Sequence, residues 1–314
     1  MTVVSNDPSW WPYIQSYDVS SYFAVAAFAG VVYDWVLTFG QEVELIWRQR
    51  WSMMTVLYLS VRYLGIVYIV IQIPIGLPTI PVTDAVSYAI YGALNWLSAI
   101  VNALLGVIMI TRLHAMSQKS GKVLTLLVFV FVAANTFDGV TAVLFVRKTS
   151  GEALILSGNY VCNISYEGNA LLLDSLTWIL ATVWEVLALC LSVWIAVKHF
   201  RELRRHSAGG IIGDCFKVLV KSHVAYFAVF LANSCFELGY LLTPIEANQY
   251  SLETQIYLGI LQFFTLFQMF VLGPRLILSV REYHAELVAG SDTGSVITSI
   301  AFRGRVHVST SRSV

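Results

Sequence analysis

Long apolar runs divide this chain, and every second gap between them is rich in Lys and Arg while the alternate gaps are nearly empty of both. A helix needs about 20 apolar residues to cross roughly 30 Å of hydrocarbon at 1.5 Å per residue. Runs of that kind lie near 20–41, 53–73, 86–110, 123–146, 170–197, 216–242 and 255–280. Hydrocarbon offers backbone groups no water, so each crossing must satisfy its own hydrogen bonds as helix. The sequence therefore predicts an all-α, multi-pass membrane protein, a seven-transmembrane helical bundle. Composition agrees: 57% of residues are hydrophobic and 12% charged, where a soluble domain carries about 25% charged.

Cations are retained on the cytoplasmic side while apolar segments cross, which orients the bundle. Of the 19 Lys and Arg, 16 fall in the gaps after spans one, three and five, at the start of span six, or at the end of span seven and in the tail, including Arg48, Arg112, Lys198, Arg201, Arg275 and Arg281. The other face has only Arg147 and Lys148, and Arg62 lies within span two. The amino terminus, with Asp7 and Asp18 and no cation before Arg48, belongs outside, and the carboxyl terminus belongs in the cytoplasm. The bundle fills residues 1–280, and 281–314 form a Ser/Thr-rich cytoplasmic tail, read as partly disordered, with a short interfacial helix over Val280 to Leu287. The first residues lack the basic start of a cleavable signal peptide, so span one serves as its own insertion signal. The membrane is the plasma membrane or an endomembrane.

Asn163-Ile164-Ser165, an acceptor pattern for N-glycosylation, falls in a gap assigned to the outside. Of four cysteines, Cys162 shares that gap without an outer partner, Cys190 and Cys235 lie in spans, and Cys215 stands at the cytoplasmic edge of span six. Pro74, Pro78 and Pro81 with Gly76 predict a stiff loop after span two, and Pro274 behind Gly273 predicts a kink in span seven.

A charge at mid-membrane costs about 2.5–3.5 kcal/mol, so it turns inward and finds a partner. Asp34, Thr38 and Glu42 recur at i, i+4 and i+8 on one stripe of span one. Span two returns antiparallel and brings Arg62 to about the depth of Thr38. The predicted contact is an intramembrane ion pair of Arg62 with Asp34 or Glu42, a structural bond between two helices.

Other spans carry polar stripes: Asn95, Ser98 and Asn102; Asn135 and Asp138; Asp174, Trp178 and Glu185; Tyr226, Asn233, Glu237 and Tyr240. Such residues are ordinarily interhelical links worth about 0.6–2 kcal/mol. The placing of Asp138, Asp174 and Glu237 toward the outer ends of their spans, among aromatic neighbours, predicts a second role. The candidate ligand cavity comprises Asn95, Asn102, Asp138, Asp174, Trp178, Glu185, Asn233, Glu237 and Tyr240, and suits a cationic or hydrogen-bonding small molecule entering from outside.

Tyr33-Asp34, Thr38, Glu42-Val43, Ile46-Trp47 before the basic turn, and Arg62-Tyr63 together resemble the amino-terminal signature of a large fungal family known as domain of unknown function 6533. The resemblance covers roughly residues 20 to 70. It implies a multi-pass membrane protein of a basidiomycete fungus and no particular activity.

Seven spans with an outer amino terminus invite comparison with G-protein-coupled receptors on architecture alone. Their commonest local motifs are missing: span three ends Thr111-Arg112-Leu113 without a preceding acid, and span seven reads Gly273-Pro274-Arg275-Leu276. Span seven has no Lys for a retinal Schiff base. Five of six His fall in cytoplasmic segments, which leaves no converging metal ligands, and no nucleophile, redox or phosphate motif stands out. The sequence points to no enzyme, no cofactor, no metal and no nucleic acid. Expected partners are the lipid bilayer, a small-molecule ligand, and a cytoplasmic protein at the 198–221 loop. Three functions fit: a receptor-like sensor, a transporter or channel using intramembrane carboxylates, or a scaffold without ligand.

Overall fold

The computed structural model describes residues 3–77, 80–81, 83–117, 121–166, 170–205, 224, 226, 228–240 and 251–282. Helix α1 spans Trp11–Glu42 and passes without a break into a π turn at Val43–Trp47. It begins nine residues before the apolar run, because Asp7 caps the preceding turn by accepting a hydrogen bond from Ser9 N at 2.9 Å and Pro8 starts that turn. Helix α2, Met53–Gly76, opens on a capping box made by Ser52 and Thr55. It continues past Pro74, which the sequence reading had assigned to a loop. Proline so close to a helix end removes one ladder bond, and Leu77 N still donates to Ile73 O at 3.1 Å.

Helices α3, Asp84–Met116, α4, Gly121–Lys148, and α5, Ala170–Arg205, follow. Residues 228–240 form α6, the described part of the sixth apolar run. Helix α7 covers Leu252–Phe267, turns through a π segment at Gln268–Leu272, and continues as helix over 273–282. Pro274 has no N–H to offer the Phe270 carbonyl, and a widened turn just before a proline absorbs that lost bond. Helix 273–282 carries through the start of the short interfacial segment expected from Val280, and the remainder lies outside the described residues.

Among the described residues six helices are long and apolar enough to cross a membrane. The chain is a multi-pass helical membrane protein. Large apolar side chains on the outward faces, such as Phe129 at 72% exposure and Val36 at 59%, present to the surroundings what lipid rather than water would cover. Consecutive helices pack side by side from α1 to α5, and α7 closes back on α1. Helix α6 joins α7 through Asn233 Nδ2 to Thr265 Oγ1 at 3.2 Å and Tyr257 OH to Phe236 O at 2.6 Å.

The gap after α4 holds strands that the sequence reading did not anticipate. Strand β1, Val3–Ser5, runs parallel to β2, Thr149–Leu156, which pairs antiparallel with β3, Asn159–Tyr166. Ser157 and Gly158, at φ 50° and 87°, make the two-residue turn, the geometry that suits the twist of a tight hairpin. Leu154, Leu156 and Val161 are buried beneath it. Because β1 precedes α1 and β2 follows α4, four helices separate two strands that hydrogen-bond at one end of the bundle. The opposite end, where Arg48, Arg112, Lys122, Lys198 and Arg281 gather, is the basic end. Ile46, Tyr58, Leu113 and Ile277 are fully buried there.

Candidate functional site

Two polar constellations stand inside the bundle. The first grows from the α1 stripe: Asp34, Thr38 and Glu42 are 3%, 6% and 0% exposed. Arg62 of α2 enters this stripe. Its Nη1 donates to Asp34 Oδ2 at 2.7 Å, its Nη2 donates to the Thr38 hydroxyl, and its Nε lies 3.8 Å from Glu42 Oε2. That last distance is an ion pair without a hydrogen bond.

Glu42 is satisfied by neutral donors instead. Trp47 Nε1 and Tyr63 OH each donate to Oε1 at 3.0 Å, and Tyr58 OH donates to Oε2 at 3.2 Å. The π turn at Val43–Trp47 swings the Trp47 indole back onto the acid one turn before it. From α7, Arg275 Nε donates to Asp34 Oδ1 at 2.6 Å. Two carboxylates and two guanidiniums therefore form one neutral cluster binding α1, α2 and α7. Sequence reasoning found Asp34, Glu42 and Arg62 but gave Arg275, Tyr58 and Tyr63 no place in the pairing. The signal for Arg275 was present: it is a cation inside a predicted span, and such a group needs an inward partner.

The second constellation is a cavity of about 510 Å³ lined by α2 to α7, within the usual range of ligand sites. On α3 its wall runs from Asn95 to Met109, and on α7 from Leu258 to Met269. It therefore lies around mid-depth of the bundle. Asp138, Glu185 and Glu237, from three consecutive helices, face it, as do Asn95, Asn102, Trp178 and Asn233. Aromatic wall is supplied by Tyr68, Phe137, Trp178 and by the Phe131–Trp184 pair, whose ring centres are 5.6 Å apart. Among the described residues lining it there is no Lys, Arg or His.

Two expected cavity residues stand apart. Tyr240 is not in the wall: its ring stacks on Tyr257 at 6.1 Å, an aromatic contact of α6 with α7 that draws it off the cavity face. Asp174 is in α5, but its side chain lies outside the described residues, as do those of Cys162 and Asn163. The backbone of Asn163 is in β3, paired with Glu152. Cys190 and Cys235 are exposed free thiols. Cys215, most of the 198–221 loop and the tail from 283 onward also lie outside the described residues.

The cavity polar groups differ in how well they are met. Glu237 Oε1 accepts from Thr265 Oγ1 at 3.2 Å, and Thr141 and Thr177 hydroxyls meet at 3.3 Å between α4 and α5. Glu185 meets the Ser234 side chain, yet its Oε2 is buried with no hydrogen-bond partner, and so is Gln268 Oε1. Both orphans are acceptors on the cavity wall. A buried acceptor left unmet costs about 1–3 kcal/mol, a cost that a hydrogen-bond donor placed between these walls would remove. Among the described residues no three His, Cys, Asp or Glu side chains converge as a metal site requires.

No curated protein shows a match to this chain. Residues 22–67 match the model of a Family of unknown function (DUF6533), and that stretch contains every member of the ionic network except Arg275.

Proposed function

We propose that this chain is a receptor-like membrane sensor of a cationic, hydrogen-bond-donating small molecule, built on seven crossings with the amino terminus outside and the carboxyl terminus in the cytoplasm. The observation that carries the reading is the convergence of Asp138, Glu185 and Glu237 on one aromatic-walled cavity whose described lining supplies no cation. Three acids on a wall whose described residues include no Lys, Arg or His favour a positive guest electrostatically, and aromatic faces add cation–π attraction. Glu185 Oε2 and Gln268 Oε1 supply the unmet acceptors.

What lies beyond the cavity supports a sensor rather than a conduit. Toward the basic end Tyr58, Leu113 and Ile277 are fully buried, and of the two helices that join both constellations, α2 and α7, it is α7 that carries a π turn between them. Thr265, Gln268 and Met269 line the cavity, and Arg275, past the π turn, holds Asp34. A guest that displaces the cavity side of α7 would act on the Arg275–Asp34 bond at its other end, and from there on the cytoplasmic segment 198–221 and its protein partner. π segments inside helices frequently mark such functional sites.

The test is amine binding to the full chain reconstituted in lipid nanodiscs, read by the fluorescence of wall residues Trp178 and Trp184 over a series from butylamine to aromatic amines. Saturable quenching by an amine and none by the isosteric alcohol is expected, weakened at least tenfold in Glu185→Gln. Equal responses to amine and alcohol, or an unaltered Glu185→Gln, overturn the reading.

A further inference from the structure

An apolar groove of about 240 Å³ lies between α1 and α2 near the hairpin end. Ala24, Val25 and Phe28 form one wall, Ile69 and Ile73 the other, and Leu77 closes its end. Its single polar member is Gln72. Val25 is 50% exposed, so the groove opens sideways, toward the face that lipid covers, rather than along the bundle axis.

Gln72 and Leu266 belong to this groove and to the carboxylate cavity alike. Two side chains, one a flexible amide, are therefore all that the two spaces have in common as a wall. On one side of it the lining is apolar and faces hydrocarbon; on the other it is acidic and aromatic. A compact, water-borne ammonium ion would use only the second space. A molecule with a hydrocarbon chain and a positive head would use both, with Gln72 at the junction where the chain meets the head.

We infer that the ligand is a single-chain cationic amphiphile, a long-chain amine, which reaches the site from within the bilayer, laying its chain in the α1–α2 groove and its ammonium head among Asp138, Glu185 and Glu237. This rests on the cavity reading above and narrows it from amines at large to membrane-borne ones. An amine of this class partitions into lipid before it binds, so it meets the groove at the depth where the groove opens. The chain gains little by leaving lipid for an equally apolar groove; the head gains by reaching three carboxylates out of water. Selectivity against neutral lipids thus lies in the head, and the advantage over short amines, which still reach the cavity, lies in the route.

The experiment uses the full chain in nanodiscs of phosphatidylcholine and two photoreactive probes, a diazirine-tagged dodecylamine and the matching dodecanol, with labelled residues located by mass spectrometry. The amine is expected to label residues around Ala24, Val25 and Ile73 at least tenfold more than the alcohol, and to be displaced by untagged dodecylamine. Ile73→Trp or Ala24→Phe should cut that labelling at least fivefold while leaving the butylamine fluorescence response unchanged. Equal groove labelling by amine and alcohol, or amine labelling spread evenly over the lipid-facing surface, overturns the inference. The butylamine response, and its loss in Glu185→Gln, reports on the cavity independently of the groove. A failure of the groove is thereby told apart from a failure of the cavity.

Discussion

Replacing Asp34 with Ala removes the anion that lies 2.7 Å from Arg62 and 2.6 Å from Arg275. Two magnitudes compete for the cost. An ordinary polar link between membrane helices averages about 0.6 kcal/mol. A buried ion pair stripped of one partner costs about 3–5 kcal/mol, because the charge left behind stays desolvated. Geometry selects the second, since the Arg62 and Asp34 side chains are 2% and 4% exposed. Arg275 adds little, being 46% exposed and long enough to carry its head to the basic end. Arg62 keeps the Thr38 hydroxyl and the distant Glu42, so the loss falls at the lower end, about 3 kcal/mol. Arg62→Ala should cost less, about 2 kcal/mol, because Glu42 retains three neutral donors and Asp34 retains Arg275. The double variant should then show a coupling of about 2 kcal/mol between the two positions. Asp34→Ala with Arg281→Ala should be additive within about 0.5 kcal/mol, since Arg281 donates to Leu45 O, Ser52 and Thr55 and not to this network. Reversible unfolding in mixed micelles with rising denaturing detergent, followed by circular dichroism, measures the parent chain and all five variants, Arg281→Ala alone included. A cost below about 1 kcal/mol for Asp34→Ala, or a coupling to Arg62 no larger than to Arg281, refutes the reasoning.

Gly259→Leu should lower stability by about 1–3 kcal/mol, because even a Cβ there would sit 2.0 Å from Phe23 Cδ2 and 2.5 Å from its Cγ. Gly40→Ala, with nothing within 4 Å, should be neutral or stabilising by up to about 1 kcal/mol; thermal unfolding in micelles that fails to separate the two would discredit the close α1–α7 approach. Epitope tags at the two chain ends of cells expressing the protein should be accessible from opposite sides of the membrane, and Asn163→Gln should abolish an endoglycosidase-sensitive mobility shift. Both tags on one side would make the number of crossings even and remove the basis for an outward cavity.

What could be read in the sequence was whatever repeats at short range or is forced by lipid. Runs of about 20 apolar residues, and the i, i+4, i+8 spacing of Asp34, Thr38 and Glu42, are local patterns, and a tight antiparallel return fixes Arg62 near them. The polar cavity stripes were legible for the same reason, each being one face of one helix. Arg275 meets Asp34 across 241 residues of chain, and no local period carries that pairing; only the rule that an intramembrane cation needs a partner pointed to it. Tyr240 shows the converse limit. It continues the stripe of Asn233 and Glu237 by spacing, yet its ring is taken by Tyr257 from a neighbouring helix, and helical phase cannot say which neighbour claims a side chain. The sheet was hidden differently: β1 has only three residues and pairs with β2 at a distance of about 150 residues (Val3 with Leu154). One consequence of the long-range pairings is that the buried charges of the stretch 22–67 do not balance among themselves. It carries Asp34 and Glu42 against the single buried Arg62, and the balancing cation arrives from α7, just beyond the π turn whose first residues line the cavity. The buried part of the matched segment is thus an unfinished network by itself, completed by a helix that also lines the cavity.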